Sequence, residues 1–191
     1  MRKPRWLIWL GSALILGGAV LLAYYSYTLH ERAEAQRRAK EWLNRASASH
    51  GSVPATSPPL RRGDVVGEVE IPRLHLSVVV FEGDDAGILE RGAGHIPGTA
   101  LPSGSGNIGI AAHRDTYFRP LRTIHANDVI ALKTQTGISR YAVTETEIVP
   151  PSEIGVLEPA SGRDLTLVTC YPFYYVGSAP KRFIVYARKI G

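Results

Sequence analysis

The sequence predicts an all-β domain, either a sandwich or a closed barrel, standing behind one membrane-crossing helix. Three observations lead there. Trp6–Tyr27 is a run of 22 residues without a charge. After Gly63 a series of short Val-, Ile-, Thr- and Tyr-rich segments follows, each bounded by Gly, Pro, Asp or Asn. No long helical pattern alternates with them, so βαβ architectures drop out. Closure is the simple way for one small sheet to enclose a core and remove its edges.

Taken in order, the uncharged run spans a hydrocarbon core of about 30 Å at about 1.5 Å per residue. Trp6 and Trp9 at one end, and Tyr24, Tyr25 and Tyr27 at the other, suit an interfacial aromatic belt. Arg2, Lys3 and Arg5 precede the run and favour a cytoplasmic N-terminus, although Arg32, Arg37 and Arg38 follow it. A cleaved signal peptide is the competing reading, and Ala33-Glu34-Ala35 would suit a cleavage site. The apolar run exceeds the 7–15 residues of a signal h-region, which favours a retained anchor over residues 1–28. His30–Ala46 is rich in Ala, Glu, Arg and Lys and reads as a polar helical stalk, with too few apolar residues for a core-facing stripe. Ser47–Pro59, with Pro54, Pro58 and Pro59, reads as an extended linker, so stalk and linker together cover 29–62.

The folded domain is expected over 63–191. Its strand candidates are Val65–Ile71, Leu76–Phe81, Asn107–Ala112, Val129–Lys133, Arg140–Val149, Leu165–Thr169 and Arg182–Lys189. Thr134-Gln135-Thr136-Gly137 reads as a hairpin connection. Short helical pieces are expected at Ala86–Arg91 and Tyr117–Ile124. The net charge of +5 is unevenly placed: ten Lys/Arg against three Asp/Glu up to Arg62, but twelve against fourteen afterwards. The domain itself is near neutral, which argues against nucleic-acid binding.

Cys170 is the single cysteine. Outside the cytoplasm a lone thiol is a buried structural group, an intermolecular link or a nucleophile. The strand Leu165–Thr169 runs directly into it, and Pro172 breaks further pairing. Arg182 opens the next strand, so pairing of the two would set Cys170 and Arg182 side by side. His113 ends another strand segment, NIGIAAH. A Cys, a His and an Arg can supply nucleophile, general acid/base and oxyanion stabilisation. Each has a bland reading too: His113 as a hydrogen-bonded histidine, Arg182 as a surface charge, Arg114 and Asp115 as a local ion pair.

Thr166-Leu167-Val168-Thr169-Cys170 resembles the TLxTC signature of the sortases, with an Arg on the following strand. Gly109–Phe118, GIAAHRDTYF, resembles the segment around their catalytic histidine, particularly in class D, as does Gly94–Ala100, GHIPGTA. The resemblance covers Gly63 to Gly191 in the family's order of His, Cys, Arg. It implies an eight-stranded sortase-type β-barrel and a cysteine transpeptidase. Cys170 would attack the Thr carbonyl of a sorting pentapeptide in a secreted protein. His113 would move protons, Arg182 would stabilise the oxyanion, and Thr169 would help at the oxyanion or the substrate. The thioacyl-enzyme would pass to an amine of a peptidoglycan precursor or a pilin, with no cofactor. The setting would be the bacterial membrane, single-pass, with the domain outside.

His95, in GAGHIPG, is a substrate-contacting or structural residue, and Tyr174 and Tyr175, in the connection after Cys170, are substrate-contacting candidates. His75 and His125 lack a constellation; His30 and His50 fall in stalk and linker. Glu82, Asp84 and Asp85 lack the ligand pattern of a cation loop and read as a solvated acidic turn rather than a metal site. Two other classes compete. An L,D-transpeptidase, as that family is known, has His and Gly close before its Cys, where this chain has Leu-Val-Thr. A membrane-tethered, non-enzymatic β-domain would bind a wall or protein partner and merely bury Cys170.

Overall fold

The computed structural model describes residues 5–48, 60–158, 164–175 and 177–191. Arg2, Lys3, His50 and the linker from 49 to 59 lie outside the described residues. The chain divides into two compact units, Met1–Ala35 and Gln36–Gly191. Helix α1, Arg5–Ala48, runs through both. Its N-terminal part is long and apolar enough to cross a membrane, and Trp9, Leu14, Ile15 and Leu21 are largely exposed along it.

In the second unit eight strands, among the described residues, close into a barrel: β1 Val65–Ile71, β2 Leu76–Glu82, β3 Ala93–His95, β4 Ile108–Ala111, β5 Val129–Thr134, β6 Gly137–Val149, β7 Leu165–Tyr171 and β8 Lys181–Lys189. The order round the barrel is β1-β2-β3-β4-β7-β8-β6-β5. All seven expected strands are present with ends shifted by at most three residues. The Thr134–Gly137 connection is the β5–β6 hairpin. α2, Ala86–Arg91, sits where expected, and the second helical piece is a single 3-10 stretch at Arg119–Thr123. β3 is the strand that composition hid: three residues, Ala-Gly-His, paired parallel to β2 and antiparallel to β4. Alternation decides the two faces. Ile108, Ile110, Leu165, Leu167, Val185 and Ala187 belong to the main core inside the barrel. Val149, Val156, Ile184 and Tyr186 form a separate cluster on the outer face.

The end of α1 belongs to this unit and is more than a stalk. Ala39 is buried with Val79, Phe81 and Ile88, and Leu43 is buried as well. Gln36 accepts from the Val79 amide at 2.8 Å and donates to the Arg91 carbonyl at 2.6 Å. A Cβ at Gly92 would fall 2.5 Å from the Gln36 amide nitrogen, so glycine permits that approach. Lys40 Nζ lies 2.7 Å from the buried Glu68. Replacing Lys40 by Ala is expected to strand that carboxylate and to cost about 1–3 kcal/mol, read as a fall in urea midpoint.

Three carboxylates make the fold acid-sensitive. The Arg62 guanidinium holds Asp85, the N-cap of α2, at about 2 against an ordinary 3.8. Hydrogen bonding from Arg73 lowers Asp128. Burial pushes Glu68 up, but Lys40 and Ser77 outweigh it and the net direction is down. Depressed acids stabilise the fold above their unfolded values, and that contribution is lost as pH falls through the folded ones. Thermal melts are expected to show Tm level down to about pH 5 and falling between about pH 4 and 2.

Candidate active site

β7 carries Cys170 one residue before its end, and β8 begins one residue before Arg182. The two strands pair antiparallel with Cys170 directly opposite Arg182. Opposed residues in such a ladder share a face. Cys170 has the parity of Val168, and Arg182 that of Ile184, both outer-face residues. Both are half-buried.

On the other side of β7 lies β4, parallel, with Ala111 beside Val168. The ladder continues past β4: the Ala112 amide donates to the Val168 carbonyl at 3.2 Å, and Thr169 Oγ1 donates to the Ala112 carbonyl at 2.7 Å. His113 is the next residue along, just past that last contact. His113 shares parity with Ala111, opposite to the core residues Ile110 and Ala112. Cys170 and Arg182 therefore stand opposite each other on β7 and β8, and His113 follows two residues after Ala111, the end of β4, on the other side of β7. Val149 of β6 pairs with Arg182 on the other side of β8. A turn closed by the Phe118 amide on the His113 carbonyl at 3.0 Å fixes the histidine segment from behind.

The connection after Cys170 starts with a cis Tyr171–Pro172 bond. Phe173 packs against the main core and meets Tyr171 and Phe183 in an aromatic cluster. Tyr174 and Tyr175 stay outside, 75% and 47% exposed. Arg122 lies over the Tyr174 ring at 5.7 Å and Arg114 over that of Tyr175 at 5.9 Å. Arg114 also donates to the carbonyls of Tyr175 and Gly177 at 2.8 and 3.0 Å. This corrects the reading of Arg114 as half of a local pair with Asp115. The residue after His113 instead ties down the loop after Cys170. Arg182 Nη1 donates to the Lys181 carbonyl at 3.1 Å, at the start of its own strand.

The remaining candidates fall differently. Thr169 is 2% exposed with its hydroxyl spent on Ala112, and His95 is 2% exposed with both ring nitrogens engaged. As placed, neither side chain offers a free polar atom to a peptide. Glu82 bonds His95, and Asp85 bonds Arg62 and caps α2, so two of the three acidic residues have structural partners rather than forming a solvated turn. Among the described residues no cluster of His, Cys, Asp and Glu is arranged to hold a metal. Arg114 and Asn107 were missed as site residues. Asn107 is buried, accepts from Thr166 at 2.9 Å and donates to the Leu157 carbonyl at 3.2 Å. Its position at the head of the β4 segment was the only available signal.

Residues 69–190 match the family model of the sortase domain, and the chain belongs to the sortase family. It is 36% identical to Sortase D of Bacillus subtilis over 129 residues, 67% of this chain and 65% of that protein. It is 29% identical to Sortase SrtE1 of Streptomyces coelicolor over 204 residues, 95% of this chain and 56% of that one. The chain thus spans less than two thirds of the length of either relative. Among solved structures it resembles a Clostridium perfringens Sortase D5 transpeptidase. There the TM-score is 0.68 with 26% identity, over 85% of this chain and 99% of the other. The closed eight-stranded barrel is the sortase fold.

Proposed function

We propose that this chain is a membrane-anchored cysteine transpeptidase that cleaves a sorting signal in secreted proteins and transfers the acyl part to an amine. The observation that supports the reading is the pairing of Cys170 with Arg182 across β7 and β8, with His113 just past the end of β4 on the other side of β7, in a chain of the sortase family. The Cys170 sulfur, its proton passed to His113, attacks the carbonyl carbon of a Thr in the sorting pentapeptide, and the carbonyl electrons move onto oxygen. Arg182, whose guanidinium is always charged and donates in a fixed fork, stabilises that oxyanion. The carbonyl re-forms as the amine leaves, taking a proton from His113, and a thioester remains on Cys170. An incoming amine gives its proton to His113 and attacks the thioester, and the Cys170 sulfur leaves as thiolate and takes that proton back.

Tyr174 and Tyr175, exposed in the connection after Cys170 and braced by Arg122 and Arg114, contact the peptide in this reading. Thr169 acts by tying the His113 strand end to the Cys170 strand rather than by touching substrate. In this reading the apolar N-terminal helix is a single-pass anchor, with the N-terminus cytoplasmic and the domain outside. The acceptor is the amine of a peptidoglycan precursor or of a pilin. The test is a panel of quenched-fluorescent sorting pentapeptides with hydroxylamine as acceptor. Hydroxamate from one motif supports the reading, and no turnover of any motif with an alkylation-resistant Cys170 points to a non-enzymatic binding domain.

A further inference from the structure

His95 is a buried titratable group for which the reaction has no use. It sits at the end of β3, beside Glu82 of β2 and Ile110 of β4. Its Nδ1 lies 2.8 Å from Glu82 Oε2, and its Nε2 lies 3.0 Å from the Ala100 carbonyl and 3.1 Å from Thr99 Oγ1. A carbonyl only accepts, so Nε2 carries a proton. Thr99 Oγ1 donates its own hydrogen to the Ile96 carbonyl at 2.7 Å and accepts the Gly109 amide at 3.0 Å. Nδ1 faces the Glu82 carboxylate. Every polar atom of the imidazole is thus committed to the loop between β3 and β4 and to Glu82.

That loop covers part of the site face. A Cβ at Gly109 would fall 2.9 Å from Thr99 Cγ2, 3.3 Å from Ile96 Cβ and 3.1 Å from Leu157 Cδ2. Leu157 belongs to the connection between β6 and β7, which Asn107 holds. Two walls therefore meet over Gly109, four residues before His113, or about 13 Å along β4. Between that closure and Cys170 the outer face carries Ala111 and Val168, side by side in register and half-buried, with Ile184 next to Val168 wholly buried.

We propose that the His95–Glu82 couple is a positioning device that fixes the β3–β4 loop as the end wall of the peptide groove. It governs substrate affinity and not bond-making. The proposal rests on the transpeptidase reading above. It goes further in assigning groove shape to a histidine that has no acid/base duty.

The experiment uses the full chain in detergent micelles, the hydroxylamine assay, and active sites counted by thiol titration. His95→Ala and Glu82→Ala are expected to raise peptide KM about tenfold with kcat within about twofold. Glu82→Gln keeps an oxygen that accepts from Nδ1 and should restore most of the affinity. Gly109→Ala, which wedges the walls apart from the opposite side, should give the same KM signature with the couple intact. Hydrogen exchange should quicken over residues 96–109 in His95→Ala and stay slow in the rest of the barrel. A KM unchanged in both alanine variants overturns the proposal, as does a fall in kcat at constant KM, or exchange rising throughout the barrel. Turnover by the wild-type protein with unaltered KM in the variants defeats this inference alone. Absence of wild-type turnover defeats the functional reading and this inference with it.

Discussion

His113→Ala is expected to lower kcat/KM for the sorting peptide by about 10²–10⁴, and Arg182→Ala by about 10²–10³. Cys170→Ala removes the only sulfur nucleophile and leaves no measurable turnover. The three differ in mechanism, so the pattern is more telling than any single loss. Without His113 the leaving amine departs unprotonated, and a peptide analogue with a better leaving group should recover most of the acylation rate. Without Arg182 that analogue should recover little, because the oxyanion still forms without its donor. Single-turnover fluorescence with the two peptide types, on all three variants, separates these cases. Equal rescue of both variants would contradict the assigned roles.

Phe118→Ala is the substitution expected to cost the fold most. The ring is wholly buried in the main core, and the same residue closes the turn behind His113. Truncating a buried Phe costs about 3–5 kcal/mol, from lost burial and the cavity left behind. At about 2–4 °C per kcal/mol for a domain of this size, Tm should fall by roughly 10 °C. Well below that Tm, activity should also drop, since the cavity loosens the backbone from which His113 projects. Phe118→Leu fills more of the space and should lose less of both. Calorimetry and the hydroxylamine assay on the same samples check the pair. A full-strength Tm in Phe118→Ala would mean that the site collapses without a cavity.

Much of this was legible in the sequence because it depends on local chemistry. The seven longer strands are Val-, Ile- and Thr-rich runs with turn residues at their ends, and such runs carry their own signal. The adjacency of Cys170 and Arg182 follows from one antiparallel connection, which the spacing allowed to be anticipated. β3 was hidden because two of its three residues are Ala and Gly. It exists only by pairing with β2 and β4, and both pairings are set by tertiary structure. The docking face of α1 was hidden for a related reason. Gln36, Ala39, Lys40 and Leu43 keep helical spacing, but two of the four are polar and reach the barrel through an amide and an ammonium. A hydropathy pattern does not register such a stripe. His95 and Thr169 were placed near the site by motif, but sequence cannot tell a side chain that faces a groove from one that holds the groove's wall. Arg114 was read against its neighbour Asp115, whereas its true partners lie some sixty residues away, at Tyr175 and Gly177.

The most direct test of the central claim is to catch the thioacyl-enzyme. The full chain is mixed with a sorting peptide in the absence of any amine acceptor, quenched in acid and weighed intact by mass spectrometry. A mass gain equal to the acyl part of the peptide, up to and including its Thr, is expected. That gain should map to Cys170, discharge with hydroxylamine and be absent from Cys170→Ala. An unchanged mass with every motif, in a folded protein whose Cys170 resists alkylation, would contradict it.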